Sequence, residues 1–157
     1  MRIREAEEAD AGAVTALWTE AYADAGPEGR REPYALREYF AVATSAMVSV
    51  VEEGGGLIAV VALFPPGAPG SSVAGPGEAE LARLAVVAAA RRGGIARGLV
   101  ERCSAQARVL GAEAIALWSR PYQTGAHRLY ESLGYRRVPE RDGEDRDGRR
   151  WVFRLDL

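Results

Sequence analysis

One stretch constrains the fold more than any other: a predicted strand that passes through a glycine-containing turn directly into a helix. The aliphatic run from Ala79 to Val87 predicts the strand, and Ile95 begins a helix that continues to about Leu110. Between them stands the sequence RRGGIA, residues 91–96. Backbone N–H groups in such a turn converge with the unsatisfied donors of the helix N-terminus, and glycine lets a ligand approach closely. The stretch therefore predicts a site for an anion such as a diphosphate.

The turn differs from the two better-known phosphate-binding turns. It lacks the Gly-Lys pair followed by Ser or Thr that binds nucleoside triphosphates, and it lacks the GxGxxG pattern of dinucleotide sites. Two arginines in the turn, Arg91 and Arg92, add positive charge. The sequence is thus consistent with a diphosphate site, but it excludes the nucleoside triphosphate and dinucleotide sites that these two motifs form.

Strand and helix patterns also alternate on either side of the turn. Before it, a strand, two helices and a pair of strands are predicted at residues 1–5, 10–22, 33–40, 47–51 and 57–64. After the long helix, a strand, a helix and two strands are predicted at residues 114–118, 123–133, 135–138 and 151–155. Loops are predicted from Asp24 to Glu32 and from Pro65 to Gly77, the second with four Pro and four Gly. This order favours an α/β (α+β) fold with a mixed sheet and helices on both faces.

Composition excludes several classes of function. The 157 residues suit one domain, and a net charge of −2 disfavours a nucleic-acid partner, which needs a surplus of positive charge. Cys103 is the single cysteine, so neither an internal disulfide nor a cysteine-based zinc site is expected, and no metal site is predicted. The charged start of the chain does not resemble a signal peptide, and no apolar run has the length of a membrane span. We therefore expect a cytoplasmic protein that does not bind membranes.

Spaced motifs flank the turn. The pattern LxxLxV before it is formed by Leu81, Leu84 and Val86, and the pattern AxxLYxxxGY after it spans residues 126–135 and contains Tyr130. With the turn, these motifs resemble the GNAT acetyltransferases over the region from Glu80 to Tyr135. In that family the acetyl-CoA turn reads Arg or Gln, two variable residues, Gly, one variable residue, then Gly or Ala. The resemblance implies a GNAT-type fold with a mostly antiparallel sheet.

The resemblance also implies acetyl-CoA as acyl donor and a set of cofactor-binding residues. The backbone of Leu84, Ala85 and Val86 would pair with the pantetheine arm like an added strand. The amides of the turn and first helical residues would bind the diphosphate, and these residues are Arg91, Arg92, Gly93, Gly94, Ile95, Ala96 and Arg97. The chain departs from the family pattern in two respects. The family often has Gly where Arg92 stands and Arg where Gly93 stands. Gln123 occupies a position that often holds a CoA-contacting Asn.

Two side chains are candidates for acid and base chemistry, because an attacking ammonium must lose a proton and a leaving thiolate must gain one. Glu80 falls where several family members carry a catalytic Glu, and Tyr130 falls where many carry the acid Tyr. The alternative for Glu80 is a carboxylate that is solvated or paired with Arg83. The alternative for Tyr130 is a core aromatic residue whose hydroxyl has a hydrogen-bond partner. His127 is expected at the surface or near the adenine, and Cys103 on the buried stripe of its helix.

The predicted function is transfer of acetyl from acetyl-CoA to a primary amine by direct attack, and the alternative is an inactive CoA-responsive binding module. The acceptor is a small molecule or a peptide that the sequence does not name. Its pocket is expected between the segment from Asp24 to Phe40 and the charged hairpin from Glu140 to Arg150. The alternating charges of that hairpin by themselves favour a solvated tip, because they need no binding partner. A homodimer is possible because this fold often dimerises.

Overall fold

A computed structural model describes residues 1–23 and 32–157. Its helices are α1 (Ala11–Ala21), α2 (Leu36–Ala43), α3 (Ile95–Val109) and α4 (Thr124–Ser132). Its strands are β1 (Arg2–Glu5), β2 (Met47–Glu53), β3 (Gly56–Phe64), β4 (Glu78–Val86), β5 (Ala114–Ser119), β6 (Arg136–Arg137), β7 (Gly143–Asp145) and β8 (Gly148–Asp156). The predicted loop runs from Asp24 to Glu32, and its residues 24–31 lie outside the described residues.

The strands form one sheet in the order β1-β2-β3-β4-β5-β8-β6, with β7 paired to β8. The neighbouring strands run antiparallel except β4 and β5, which are parallel. The predicted mixed, mostly antiparallel sheet is therefore confirmed. The parallel pair lies in the middle of the sheet, at the junction between its two antiparallel halves.

The predicted hairpin between β2 and β3 is present, and its turn explains the glycines of the sequence. Gly54 and Gly55 have φ of +60° and +80°. Two successive positive φ values are typical of the tight hairpin turn that matches the twist of antiparallel strands, and glycine adopts them without steric cost.

Helices cover both faces of the sheet, as predicted. On one face, α1 and α2 pack on the sheet through a cluster that includes the fully buried Val14 and Trp18. On the other face, α3 and α4 contribute Leu99, Cys103 and Tyr130 to a second cluster. The period of the apolar residues in each helix thus reflects one buried stripe against the sheet.

Two predicted boundaries are wrong. The second helix begins at Leu36 and not at Pro33, because Ala35 is still extended and the Glu38 carboxylate accepts its N–H at 3.0 Å. The last strand begins at Gly148 and not at Trp151, because the charged hairpin before it forms β7, which pairs with its first residues. Alternating charges concealed this strand because it lacks apolar periodicity.

Candidate active site

The centre of the site is a gap between β4 and β5. These strands pair only through Glu78, Ala79 and Glu80, whose partners are residues 114–116. Beyond Glu80, β4 continues to Val86 and β5 to Ser119 without pairing to each other. The facing edges of both strands are therefore not joined to each other beyond this point, and a ligand could hydrogen-bond to their backbone. The Leu84 carbonyl already accepts the Tyr22 hydroxyl.

A cavity of about 480 Å³ opens at this gap. Its wall combines β4, the end of β5, α4 and the β7–β8 hairpin, and includes Leu84, Trp118, Tyr130 and Asp145. Tyr22 from α1 and Tyr34 also line it. Of the two segments expected around the acceptor, Asp24 to Phe40 contributes Tyr34 to this cavity and the hairpin from Glu140 to Arg150 contributes Asp145. That the acceptor binds there stays a prediction.

A second cavity, of about 310 Å³, lies at the glycine turn and the start of α3. Gly98 donates the first helical hydrogen bond, to Gly94, so the amides of Ile95, Ala96 and Arg97 precede the helical ladder. Gly94 has φ +82°, and a Cβ built there meets nothing within 4 Å. The turn therefore presents N–H donors, the positive end of a helix and free space at one place, which fits a diphosphate.

The arginines of the turn have distinct positions. The Arg91 Nε donates to the Val86 carbonyl at 3.0 Å and so ties the turn to the end of β4. The Arg97 guanidinium donates to the Ser132 hydroxyl of α4 at 2.7 Å. Arg92 is exposed and has φ +67°, a left-handed conformation that favours glycine. The glycine that the resemblance puts at this position in many members would adopt this conformation without strain, whereas Arg92 does not.

Tyr130 is buried on α4, and its ring packs against those of Tyr135 and Phe153. It lines the larger cavity, and its hydroxyl makes no hydrogen bond to the residues that the structure describes. Burial raises the pKa of the Tyr130 hydroxyl above its ordinary value. The group is thus protonated at neutral pH and able to donate into the cavity.

Glu80 is almost fully buried, with 1% of its surface exposed, and it lines the same cavity. Its Oε1 accepts the N–H groups of Ser72, Val73 and Ala74 at 2.9, 2.6 and 2.9 Å. Oε2 accepts Ser72 alone, at 2.9 Å. The carboxylate is therefore neither solvated nor paired with Arg83; it fastens the proline-rich loop to β4 and leaves acceptor capacity on Oε2.

Arg83 also lines the cavity, whereas its position in the sequence indicates only a partner for Glu80. The pairing of β3 and β4 shifts at this point, so that Arg83 and Leu84 together face Val61. Arg83 has φ +57°, and its guanidinium lies over the rings of Trp18 and Tyr34. No periodicity signals such a bulge, because an arginine next to a leucine in a strand is an ordinary alternation.

Gln123 and His127 shape the connection between β5 and α4. The Gln123 Oε1 accepts the Ser119 hydroxyl at 2.8 Å and the Arg120 amide at 2.7 Å. The prediction for His127 is wrong: the ring is buried, stacks on Trp151 at 5.4 Å and contacts the Arg120 carbonyl at 3.0 Å. Burial lowers the pKa of His127, which keeps the ring neutral.

A buried ion cluster fastens the start of β4. Glu78 accepts hydrogen bonds from Arg141 at 2.8 Å, from Arg154 at 2.6 Å and from the Gly75 amide at 2.8 Å. Burial by itself would raise the pKa of Glu78, but these donors hold it at about 2. The cluster joins the proline-rich loop, β4 and β8 beside the site.

The sequence profile of the Acetyltransferase (GNAT) family matches residues 12–135. The chain belongs to the GNAT acetyltransferase family. No curated protein matches this chain. Solved structures of GNAT proteins share its fold.

Three solved structures illustrate how closely this GNAT chain follows the fold. The ribosomal-protein-alanine N-acetyltransferase of Brucella melitensis is 20% identical, with a TM-score of 0.76 and full coverage of both chains. The Escherichia coli ribosomal-protein-S18-alanine N-acetyltransferase is also 20% identical, with a TM-score of 0.75 over 99% of this chain and 93% of that one. The protein yncA of Salmonella typhimurium, solved with its cofactor acetyl-CoA, is 22% identical, with the same TM-score and coverages.

Most residues predicted for the GNAT site lie on one of the two cavities. Glu80, Leu84, Gln123 and Tyr130 line the larger one. The smaller one is lined by Val86, Arg91, Arg92, Gly94, Ile95, Ala96 and Arg97. Ala85 and Gly93 line neither: Ala85 packs toward α1 and α2, so it could contribute only its backbone. Their roles toward acetyl-CoA stay predictions.

Cys103 is fully buried, and burial raises the pKa of its thiol to about 12, as suits a packing role. Within residues 1–23 and 32–157, no group of three or more His, Cys, Asp or Glu side chains is arranged to hold a metal ion. In the same ranges, no helix is both long enough and apolar enough to cross a bilayer.

Proposed function

We propose that the protein transfers acetyl from acetyl-CoA to a primary amine by direct attack within a ternary complex. The observation that carries this proposal is the end of β4–β5 pairing at Glu80, which leaves an open cleft beside the glycine turn. The turn and α3 would bind the diphosphate, and the edge of β4 near Leu84 that β5 leaves unpaired would bind the pantetheine arm. The acceptor would enter from the side of Tyr34 and Asp145.

In this mechanism the amine nitrogen forms a bond to the thioester carbonyl carbon, and the carbon–sulfur bond then breaks. The nitrogen must first lose the proton that makes it an ammonium at neutral pH. We assign that proton to Oε2 of Glu80, directly or through one water, because Oε1 is occupied by three amides. The Tyr130 hydroxyl donates its proton to the leaving thiolate and regains one, directly or through water, from the nitrogen, which must lose a second proton to become the amide. No covalent acyl-enzyme is needed, which agrees with a buried Cys103.

The hydrogen bonds of Glu80 favour a second candidate, a CoA-responsive binding module without catalysis. A carboxylate that fastens a loop has a structural role even when no proton is transferred. Both candidates predict binding of CoA, so binding alone does not separate them. Turnover does.

The test is a thiol-release assay with acetyl-CoA and a panel of primary amines, run on the wild type and on Tyr130→Phe. Removal of a general acid lowers kcat by about 100-fold or more. Tyr39→Phe is the matched control, since Tyr39 is also buried and its hydroxyl donates to the Glu7 carbonyl in the other cluster. We expect loss of kcat in Tyr130→Phe alone, with CoA affinity unchanged by titration calorimetry.

The outcomes separate the candidates. Turnover that falls in Tyr130→Phe excludes the binding module. CoA binding without turnover on any amine favours the module, and absence of CoA binding at millimolar concentration contradicts both.

A further inference from the structure

Arg83 has a backbone conformation that arginine rarely adopts. It lies on the bulge of β4 with φ +57°, where any residue with a Cβ is strained and glycine is not. Strain of this kind is concentrated at functional sites, where the surrounding structure maintains it. The strain at Arg83 therefore indicates a role for its side chain that glycine could not fill.

The guanidinium of Arg83 is held in a fixed place. Its Cζ lies 4.9 Å from the ring centroid of Tyr34 and 5.4 Å from that of Trp18. The Trp18 indole N–H also donates to the Arg83 carbonyl at 3.2 Å, and Trp18 itself is fully buried. Ring stacking and this hydrogen bond hold a half-buried cation at the wall of the larger cavity.

Arg83 differs from the other arginines of that wall. Arg120 makes two hydrogen bonds of 3.0 Å to Asp145, and Arg150 lies 3.9 Å from the same carboxylate. The Arg83 guanidinium has neither a hydrogen bond nor an ion pair with any residue in the described ranges. A positioned guanidinium without an anionic partner suits a carboxylate, which it can bind through two parallel hydrogen bonds.

We propose that Arg83 binds the carboxylate of the acceptor, and that the acceptors are amino acids. The proposal rests on the proposed acetyl transfer and names its substrate class. The amine of such a substrate would lie toward Glu80 and Tyr130 on the same cavity. Its side chain would meet an aromatic wall that includes Tyr22, Phe64 and Trp118.

The experiment compares each amino acid with the amine that lacks its carboxylate: phenylalanine with phenethylamine, and leucine with isoamylamine. Binding to CoA-saturated protein is measured by calorimetry, and acetylation is measured in parallel. The variants are Arg83→Gln, Arg83→Lys and, as matched control, Arg108→Gln at the exposed end of α3. Arg83→Gly serves if the Gln variant does not fold, because glycine suits φ +57°.

We expect the wild type to bind each amino acid about 10- to 100-fold more tightly than its partner amine. Arg83→Gln and Arg83→Gly abolish this preference and leave the affinity for the amine unchanged. Arg83→Lys keeps part of the preference, and Arg108→Gln keeps all of it. Equal affinities in the wild type, or a preference that survives in Arg83→Gln, overturns the proposal. Failure to acetylate any amine, with the binding preference intact, contradicts only the proposed function.

Discussion

Exchanging Arg92 and Gly93 is expected to stabilise the protein. Arg92 has φ +67°, where a Cβ is strained, whereas Gly93 lies outside the left-handed region. A Cβ at residue 93 would meet the Ala90 carbonyl oxygen at 3.6 Å, which is ordinary contact. The double variant Arg92→Gly/Gly93→Arg therefore places each residue type where the backbone suits it.

The magnitude follows from what the exchange leaves unchanged. A single Arg92→Gly change has two opposite effects on the free energy of unfolding. Relief of backbone strain raises it, and the greater entropy of the unfolded chain lowers it by about 0.5–1 kcal/mol. In the double variant the composition is constant, and these unfolded-state contributions cancel. Relief of the left-handed conformation, about 1–2 kcal/mol, then remains. For a domain of this size each kcal/mol corresponds to about 2–4 °C in Tm.

The assay is urea unfolding of the wild type, both single variants and the double variant. We expect the double variant to gain about 1–2 kcal/mol in the free energy of unfolding, while Arg92→Gly alone stays within about 1 kcal/mol of the wild type. A double variant that is no more stable than the wild type, with the same m-value, would refute the argument from backbone strain. Measured CoA affinity then shows whether the position of the arginine side chain affects the ligand.

Two further predictions concern the glycine turn and the ion cluster. Gly94→Glu should weaken CoA binding by at least about 100-fold, because like charges about 4 Å apart repel by about 4 kcal/mol near a protein surface. The control is Gly111→Glu, which lies just beyond the other end of α3 and also has a positive φ, +77°. Calorimetry should show that this control binds CoA as tightly as the wild type. Since the pKa of Glu78 is lowered to about 2, its contribution to stability is present above the ordinary carboxyl pKa and is lost as pH falls toward 2. Urea unfolding from pH 5 to pH 2 should therefore show a smaller loss in Glu78→Gln than in the wild type, and equal losses would contradict the prediction.

The sequence predicted the parts of this molecule whose signals are local. Two glycines between aliphatic runs predict a hairpin, and the structure shows both with positive φ. Helical periodicity placed Cys103 and Tyr130 on buried stripes. The turn before Ile95 combined a strand, glycines and a helix start within a few residues, so its donors could be inferred without knowing the tertiary fold.

The partners of the site residues could not be predicted, because they come from distant segments. Ser72, Val73 and Ala74 bind Glu80 through backbone N–H groups, which every residue except proline possesses. Trp18 is separated from Arg83 by 65 residues, and only the packing of α1 against the sheet brings them together. Such contacts depend on sheet order and register, for which local patterns give no signal.

Glu80 is identified by a local sequence motif, but its hydrogen-bond partners come from the loop before β4. An experiment can decide whether it is a catalytic base or only holds that loop. It forms the last residue pair between β4 and β5, so its side chain is buried beside the start of the cleft. If Oε2 accepts the substrate proton, Glu80→Gln should lower kcat by about 100-fold and flatten the acid limb of its pH profile. Glutamine keeps one carbonyl oxygen for the loop amides but cannot act as a base. A variant whose KM for the acceptor rises while kcat and its pH profile persist would show that Glu80 only holds the loop in place.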